Sequence, residues 1–520
     1  MWKNTVFIPS MGIYGACMLL GSCANGFALR GDAAVSSVEL EIQRAEVMRD
    51  IVTQGHDDQP EPMIEVPSGP LVLNLSDAVA MAVEQNPGLR VSALAPLIEQ
   101  VQEDVARAAF DPVLNAEASY QREQSDNDAA VGAGLVGMQQ LLPAGTRLEL
   151  AADYADSHGD VADIRSAGYR LKVTQPLLQG MGRSVNLAEL RLAEMQTGIS
   201  RFEFRATVER FVAQVEAAYW DVLVARSAIA IFERSLLIAE EQAEEIQERI
   251  RLGDVGASEL AAAVAETASR RQNLIAARSA ADKAKLQLLR LLSPAGASPW
   301  ERELTLSEPA RVVIQALGAI DVHVAAGFAG RSDLKQALLE VDKGDVEIMR
   351  TRNGLLPRLD VFAQLGGSLY ARSFADAPDE DDDVFIGRVG ATYEYSLGAR
   401  AERARYRSAQ VSQEQTFHAL ENMKNLIQQE IRGAYVEVTH MAEQITASTA
   451  TRKLREQVLE IEQEKFRLGT STALSVAQAS RDFIASQISE IEAQVAYRKA
   501  LLDLYLSDGT LLERRGVQVQ

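Results

Sequence analysis

Two rhythms of apolar and polar residues run through this chain, and each occurs twice. The first has period two. Leu148, Leu150, Ala152 and Tyr154 alternate with Arg147, Glu149, Ala151 and Asp153, and Tyr169, Leu171 and Val173 alternate with Arg170, Lys172 and Thr174. Later, Val389, Ala391, Tyr393 and Tyr395 alternate with Arg388, Gly390, Thr392 and Glu394. Successive side chains of a strand point to opposite faces, so these segments predict strands with one apolar and one polar face. Such a pair of faces suits lipid outside and water inside; a soluble sheet with one wet face has the same pattern.

The second rhythm steps in threes and fours. Val222, Ala225, Ile229, Phe232, Leu236, Ala239, Ala243, Ile246 and Ile250 form the seam of a coiled coil. Long helices are predicted over 184–252 and 399–468. At about 70 residues each would be roughly 100 Å long, too long for a compact domain. Val215, Tyr219, Val222, Ala225 and Ile229 are spaced 4, 3, 3, 4, as are Ile431, Tyr435, Val438, Met441 and Ile445. That stammer overwinds the supercoil locally, and both helices carry it.

The recurrence extends to the whole chain. Leu89/Leu334, Val101/Val346, Arg107/Arg352 and Pro112/Pro357 match at an offset of 245. Gln175-Pro176-Leu177 matches Tyr395-Ser396-Leu397 at 220, while Ala218-Tyr219 and Arg251-Leu252-Gly253 match Ala434-Tyr435 and Arg467-Leu468-Gly469 at 216. Two copies of one unit follow, the first longer by 25 residues between the prolines and by 4 just after Pro176. The first copy spans 71–292: a helix, strands within 113–175, the long helix, and a return helix 258–292. The second spans 331–507: a helix, strands within 358–395, the long helix, and a return helix 474–506. A linker (293–330) and a C-terminal tail (508–520) remain. A glycine after each long helix allows the left-handed cap that reverses the chain, so each Arg-Leu-Gly reads as a helix C-cap with a basic last turn.

The N-terminus adds a destination. Lys3 precedes a largely apolar run from Val6 to Leu20, too short for a stop-transfer helix, so residues 1–22 read as an export signal. Small residues before a cysteine, Gly21-Ser22-Cys23, fit lipoprotein processing, with cleavage before Cys23 and acylation of its thiol. Cys17 would leave with the signal, so no disulfide is expected. Residues 23–70 read as a tether with a short helix near 35–51 and an acidic, proline-containing linker. Acids outnumber bases 73 to 52, a net charge of −21 that repels nucleic acid.

No catalytic or cofactor chemistry emerges. Gly132-Ala133-Gly134-Leu135-Val136-Gly137 fits a dinucleotide fingerprint, but Met138 to Leu142 continues as strand where the mechanism needs a helix N-terminus. His56, His158, His323, His418 and His440 lack metal-ligand spacing, and the acidic run Asp376 to Asp383 lacks the glycine and final glutamate of a calcium loop. Neither an enzyme, a metal site nor a cofactor is expected.

Several short motifs carry a resemblance. They are Leu75-Ser76-Asp77-Ala78 ahead of Asn86-Pro87, Thr174-Gln175-Pro176-Leu177-Leu178, Gly354-Leu355-Leu356-Pro357, and the two tips Arg251-Leu252-Gly253-Asp254 and Arg467-Leu468-Gly469-Thr470. In this order and in duplicate they resemble the TolC-type outer-membrane efflux family. The resemblance implies a mainly α fold with membrane β: a homotrimer whose hairpins form one outer-membrane β-barrel, continued across the periplasm by an α-helical barrel. It implies that the Arg-Leu-Gly tips meet a periplasmic adaptor protein, and that an inner-membrane transporter supplies the energy for efflux or type I secretion. Around the family's gate, Glu259 stands where an acid is common, whereas Phe466 and Ser471 replace the tyrosine and arginine that would pair with it; Ser475 and Gln478 stand where aspartates are frequent. Glu259 also suits the first turn of a helix, where the dipole favours an acid. A competing reading is a lipid-anchored periplasmic coiled-coil spacer or adaptor without a pore.

The first copy departs from the family plan of one hairpin per copy. It offers four alternating segments, 113–123, 133–142, 147–154 and 167–175, with polar external loops at 121–128 and 155–165 and a tight turn at Pro143-Ala144-Gly145-Thr146. With the second copy's pair this predicts six strands per protomer and about eighteen in a trimer, even-numbered as such barrels are.

Overall fold

The computed structural model describes residues 71–123, 129–159, 164–252, 256–293, 299–308, 312–371 and 384–518, all within the unit Ser68–Gln520. The signal, Cys23, the tether helix, Gly253 and the acidic run from Asp376 to Asp383 lie outside the described residues.

Both copies follow one plan. The first starts with strand β1 (Leu71–Leu73) and helices α1 (Leu75–Gln85) and α2 (Pro87–Arg107). Asn74 caps α1 by accepting the Asp77 N–H at 2.8 Å. Asn86 caps α2 through the Gly88 N–H at 2.9 Å, with Pro87 preset for the first helical position. Strands β2 (Val113–Glu123), β3 (Ala129–Leu141), β4 (Arg147–Gly159) and β5 (Ile164–Pro176) follow, then helices α3 (Ala188–Arg251) and α4 (Ala257–Leu292). The second copy carries α5 (Ile320–Gly330), α6 (Ser332–Asn353), β7 (Arg358–Ala371), β8 (Val384–Glu394), α7 (Arg400–Arg467) and α8 (Ala473–Ser507). Between the copies lies β6 (Leu304–Leu306), and α9 (Leu511–Arg515) is the last described element.

At 1.5 Å per residue the 64 residues of α3 and 68 of α7 make rods of roughly 95–100 Å. Each packs along its return helix, α3 on α4 and α7 on α8. Above that level α2 touches α3, α3 touches α6, and α6 touches α7, so four helices form one row.

Two apolar clusters hold the middle of the rods. One gathers Val215, Tyr219, Trp220 and Val222 of α3 with Leu288 and Leu292 of α4, Leu304 of β6 and Leu511 and Leu512 of α9. The other gathers Ile427, Ile431 and Val438 of α7 with Tyr497 and Leu504 of α8. The shared 4, 3, 3, 4 spacing thus puts Val215 and Ile431, and Val222 and Val438, at the buried seam of each copy. Burial pushes the Tyr219 phenol up to about 12, so it stays a hydroxyl and donates to the Leu73 carbonyl at 3.4 Å.

Four expectations change in detail. The linker 293–330 contains β6 and α5; β6 pairs in parallel with β1, Leu71↔Leu304 to Leu73↔Leu306. The tail 508–520 is docked, because Leu511 and Leu512 enter the first cluster. The segment 155–165 is mostly strand, since β4 runs on to Gly159 and β5 starts at Ile164. The first long helix begins at Ala188, after a separate helical turn at Arg183–Asn186.

Candidate functional site

The six long strands form one antiparallel sheet in the order β2-β3-β4-β5-β7-β8. Its register sorts the faces. Leu114, Met138, Leu150, Leu171 and Leu365 are successive cross-strand partners, so one row of five apolar side chains crosses β2 to β7. One residue along, Gln139, Glu149, Lys172, Gln364 and Arg388 form the matching row on the opposite face. Lys172 and Glu149 pair there at 3.3 Å. Tyr169, on the apolar face, lies over Gly367: a Cβ at that glycine would come within 2.8 Å of the ring, so a larger residue would push the tyrosine off the sheet.

Nothing among the described residues covers the apolar face. Leu114, Tyr169, Val389 and Tyr393 are all exposed. An uncovered apolar surface of this extent needs a partner or a lipid phase. Among the described residues no helix is long and apolar enough to cross a membrane. The glycine fingerprint at Gly132 to Gly137 lies in the middle of β3, with no helix after it.

At the far end of the rods are the tips. α7 ends in a Schellman motif: Gly469 takes φ +74°, its N–H donates to Phe466 O at 3.0 Å, and the Thr470 N–H donates to Lys465 O at 2.9 Å. Arg467 pairs with Glu464 at 3.0 Å within its own helix, and Arg251 does the same with Glu248. Leu252 and Leu468 are each 70% exposed, although both follow a last helical turn and have no core to serve.

The three candidate gate residues all lie at these tips but do not bond to one another. The Glu259 carboxylate accepts the Ala473 N–H at 3.2 Å, joining the first copy's return helix to the start of the second's. Ser471 donates to Glu462 at 3.0 Å, and hydrogen bonds from Lys465 and Ser471 hold the Glu462 carboxyl below its ordinary range. Phe466 lies under the Arg249 guanidinium at 5.3 Å, a cation–π contact between α3 and α7.

A bridge that the sequence reading missed lies just above. Glu266 of α4 takes Arg270 of its own helix at 2.5 Å and Arg481 of α8 at 2.9 Å. Arg270 is almost wholly buried; burial lowers its pKa against the pull of Glu266. The Glu-x-x-x-Arg spacing of Glu266 and Arg270 was visible in the sequence, but Arg481 reaches them only through the packing of α4 on α8. Glu266 and Arg481 border a cleft of about 550 Å³ between the two helical hairpins, also lined by Ile246, Phe466 and Leu474.

A two-faced sheet carried by helices of which the two longest reach about 100 Å, with exposed tips at their far end, is one segment of a duct wall. The chain belongs to the outer membrane efflux protein family, whose sequence profile matches residues 78–293 and 328–510. It is 24% identical over 351 residues to the outer membrane efflux protein BepC of Brucella suis, covering 67% of this chain and 74% of that protein. It is 21% identical over 409 residues to the outer membrane protein TolC of Escherichia coli, covering 76% and 80%. Among solved structures, the outer-membrane channel OprN superposes with a TM-score of 0.63 at 16% identity, covering 84% of this chain and 90% of that one.

Proposed function

We propose that this chain is the outer-membrane exit duct of an efflux or type I secretion system, acting as a homotrimer with a periplasmic adaptor and an inner-membrane transporter. The observation that carries the reading is the apolar sheet face, continuous over the strands and covered by none of the described residues. Lipid would satisfy it, and the polar rows would then line water.

Both sides of the row are also open. β2 and β8 are the sheet's edges, and the helices next to them in sequence, α2 and α7, are the ends of the helical row. On α2, Val91, Leu94, Ile98, Val101 and Val105 step by 3, 4, 3, 4 and are all exposed. That is a coiled-coil seam awaiting a helix. Identical copies placed side by side would cover both kinds of edge and leave none open. In this reading Cys23, acylated after signal removal, tethers the duct to the outer membrane, and the exposed Leu252 and Leu468 meet the adaptor. The duct performs no chemistry; energy comes from the inner membrane.

The test is assembly and conductance together. Outer-membrane extracts should yield a trimer that survives cold SDS, collapses on boiling, and gives stepwise conductance in planar bilayers. A detergent-independent periplasmic monomer without conductance would overturn the reading and favour a spacer.

A further inference from the structure

We propose that three copies close the sheet into an eighteen-stranded barrel, with β8 of one copy paired to β2 of the next, so that the duct does not narrow where helices give way to strands. This rests on the exit-duct reading and specifies the bore of the duct.

The extra hairpin belongs to the wall. β2 pairs with β3 from Val113↔Gln139 to Glu123↔Ala129, and β3 with β4 from Ala129↔Gly159 to Leu141↔Arg147. Leu114 and Met138 extend the apolar row that Leu150, Leu171 and Leu365 occupy in the other strands. A hairpin folded against the outside of the barrel would break both the ladder and the row.

The two free edges suit each other. β2 and β8 are each 11 residues long. β2 follows α2 and runs away from the helices, whereas β8 leads back into α7. Neighbouring copies would therefore bring them together antiparallel, the sense of every other pair in the sheet.

The widths agree as well. Strands about 4.8 Å apart and tilted by about 40° each take up roughly 6 Å of circumference, so six span about 38 Å. The four helices of the row, α2-α3-α6-α7, at roughly 8–10 Å apart span about 32–40 Å. Three copies give a circumference near 113 Å and a backbone diameter of about 36 Å. Side chains on the inner face reduce this to roughly 25 Å of clear bore. Hydrated solutes pass such a bore, as does a polypeptide that is extended or helical at about 10–12 Å across. A folded domain of about 100 residues, roughly 33 Å across, does not.

Disulfide mapping in the full-length, membrane-embedded protein tests the closure. Val389→Cys on β8 is combined in turn with Ala116→Cys or Ala118→Cys on β2, and separately with Ala152→Cys on β4. Within one copy these positions are separated by intervening strands, so covalent dimers and trimers on a boiled gel report contacts between copies. The expected result is linkage of β8 to β2 at one or both positions, and none to β4. Linkage to β4, or SDS-resistant trimers in which neither β2 position links, would overturn the eighteen-stranded barrel. Failure to form trimers at all would instead strike the exit-duct reading itself.

Discussion

Arg515→Ala should loosen the middle of the duct wall by an amount that can be worked out beforehand. Glu216 of α3 is only 2% exposed and lies beside Val215, Tyr219 and Trp220 in the first apolar cluster. Its carboxylate accepts Nε of Arg515 at 2.8 Å and Nη2 at 2.5 Å, a bidentate pair that holds α9 to α3. The Trp220 indole N–H, at 3.4 Å, is the other donor. Removing one partner of a buried pair costs about 3–5 kcal/mol. Arg515 is about a quarter exposed, so water can follow it into the gap, and a loss somewhat under that range, about 2–3 kcal/mol, is expected. Spread over the unfolding entropy of about 450 residues, that lowers the melting midpoint by about 2–3 °C. The assay is circular dichroism of the purified trimer in detergent, at fixed concentration and scan rate. Adding Glu216→Gln to Arg515→Ala removes the stranded charge and should restore about half of the loss. An unchanged midpoint in Arg515→Ala, or a double variant no better than the single, would refute the reasoning.

Three further outcomes are expected. Leu252→Asp with Leu468→Asp should leave the SDS-resistant trimer intact while reducing in-cell cross-linking to the adaptor at least tenfold; unchanged cross-linking would remove the tips from the docking surface. Cys23→Ala should abolish lipid labelling yet leave trimers in the membrane fraction, and a wholly soluble variant would contradict a self-inserting sheet. Burial pushes the Glu209 carboxyl above its ordinary range, against the pull of Arg205 at 3.2 Å. A carboxyl so raised binds its proton more readily folded than unfolded, so its contribution to stability falls as pH rises from about 4 toward the raised value. Glu209→Gln should therefore gain in melting midpoint relative to the parent between about pH 4 and 7; a constant difference across that range would contradict the shift.

The long helices were legible because a seam in threes and fours persists over about 70 residues, and its stammer recurs at an offset of 216. The strands were legible where alternation is strict, as from Arg147 to Tyr154. Where polar residues fall on both faces the reading stopped short: Asp156 and Arg165 are cross-strand partners at 3.3 Å, yet they looked like loop. β1 and β6, three residues each, are too short to show any period. α9 is hidden in the tail because its signal is a single Leu511-Leu512 pair, meaningful only once the first apolar cluster exists to receive it. At the tips, the family pattern pairs Glu259 with side chains at Phe466 and Ser471, but its partner is the Ala473 backbone N–H, which no residue type announces.

Thiol labelling along β4 in intact, assembled trimers bears most directly on a wall with lipid on one side and water on the other. Single cysteines at Glu149, Leu150, Ala151 and Ala152 are exposed in turn to a membrane-impermeant, water-soluble reagent. Glu149→Cys and Ala151→Cys should react through the lumen, while Leu150→Cys and Ala152→Cys stay protected until the membrane is dissolved. Equal reactivity of all four, or protection of the odd-numbered pair instead, would contradict the channel wall.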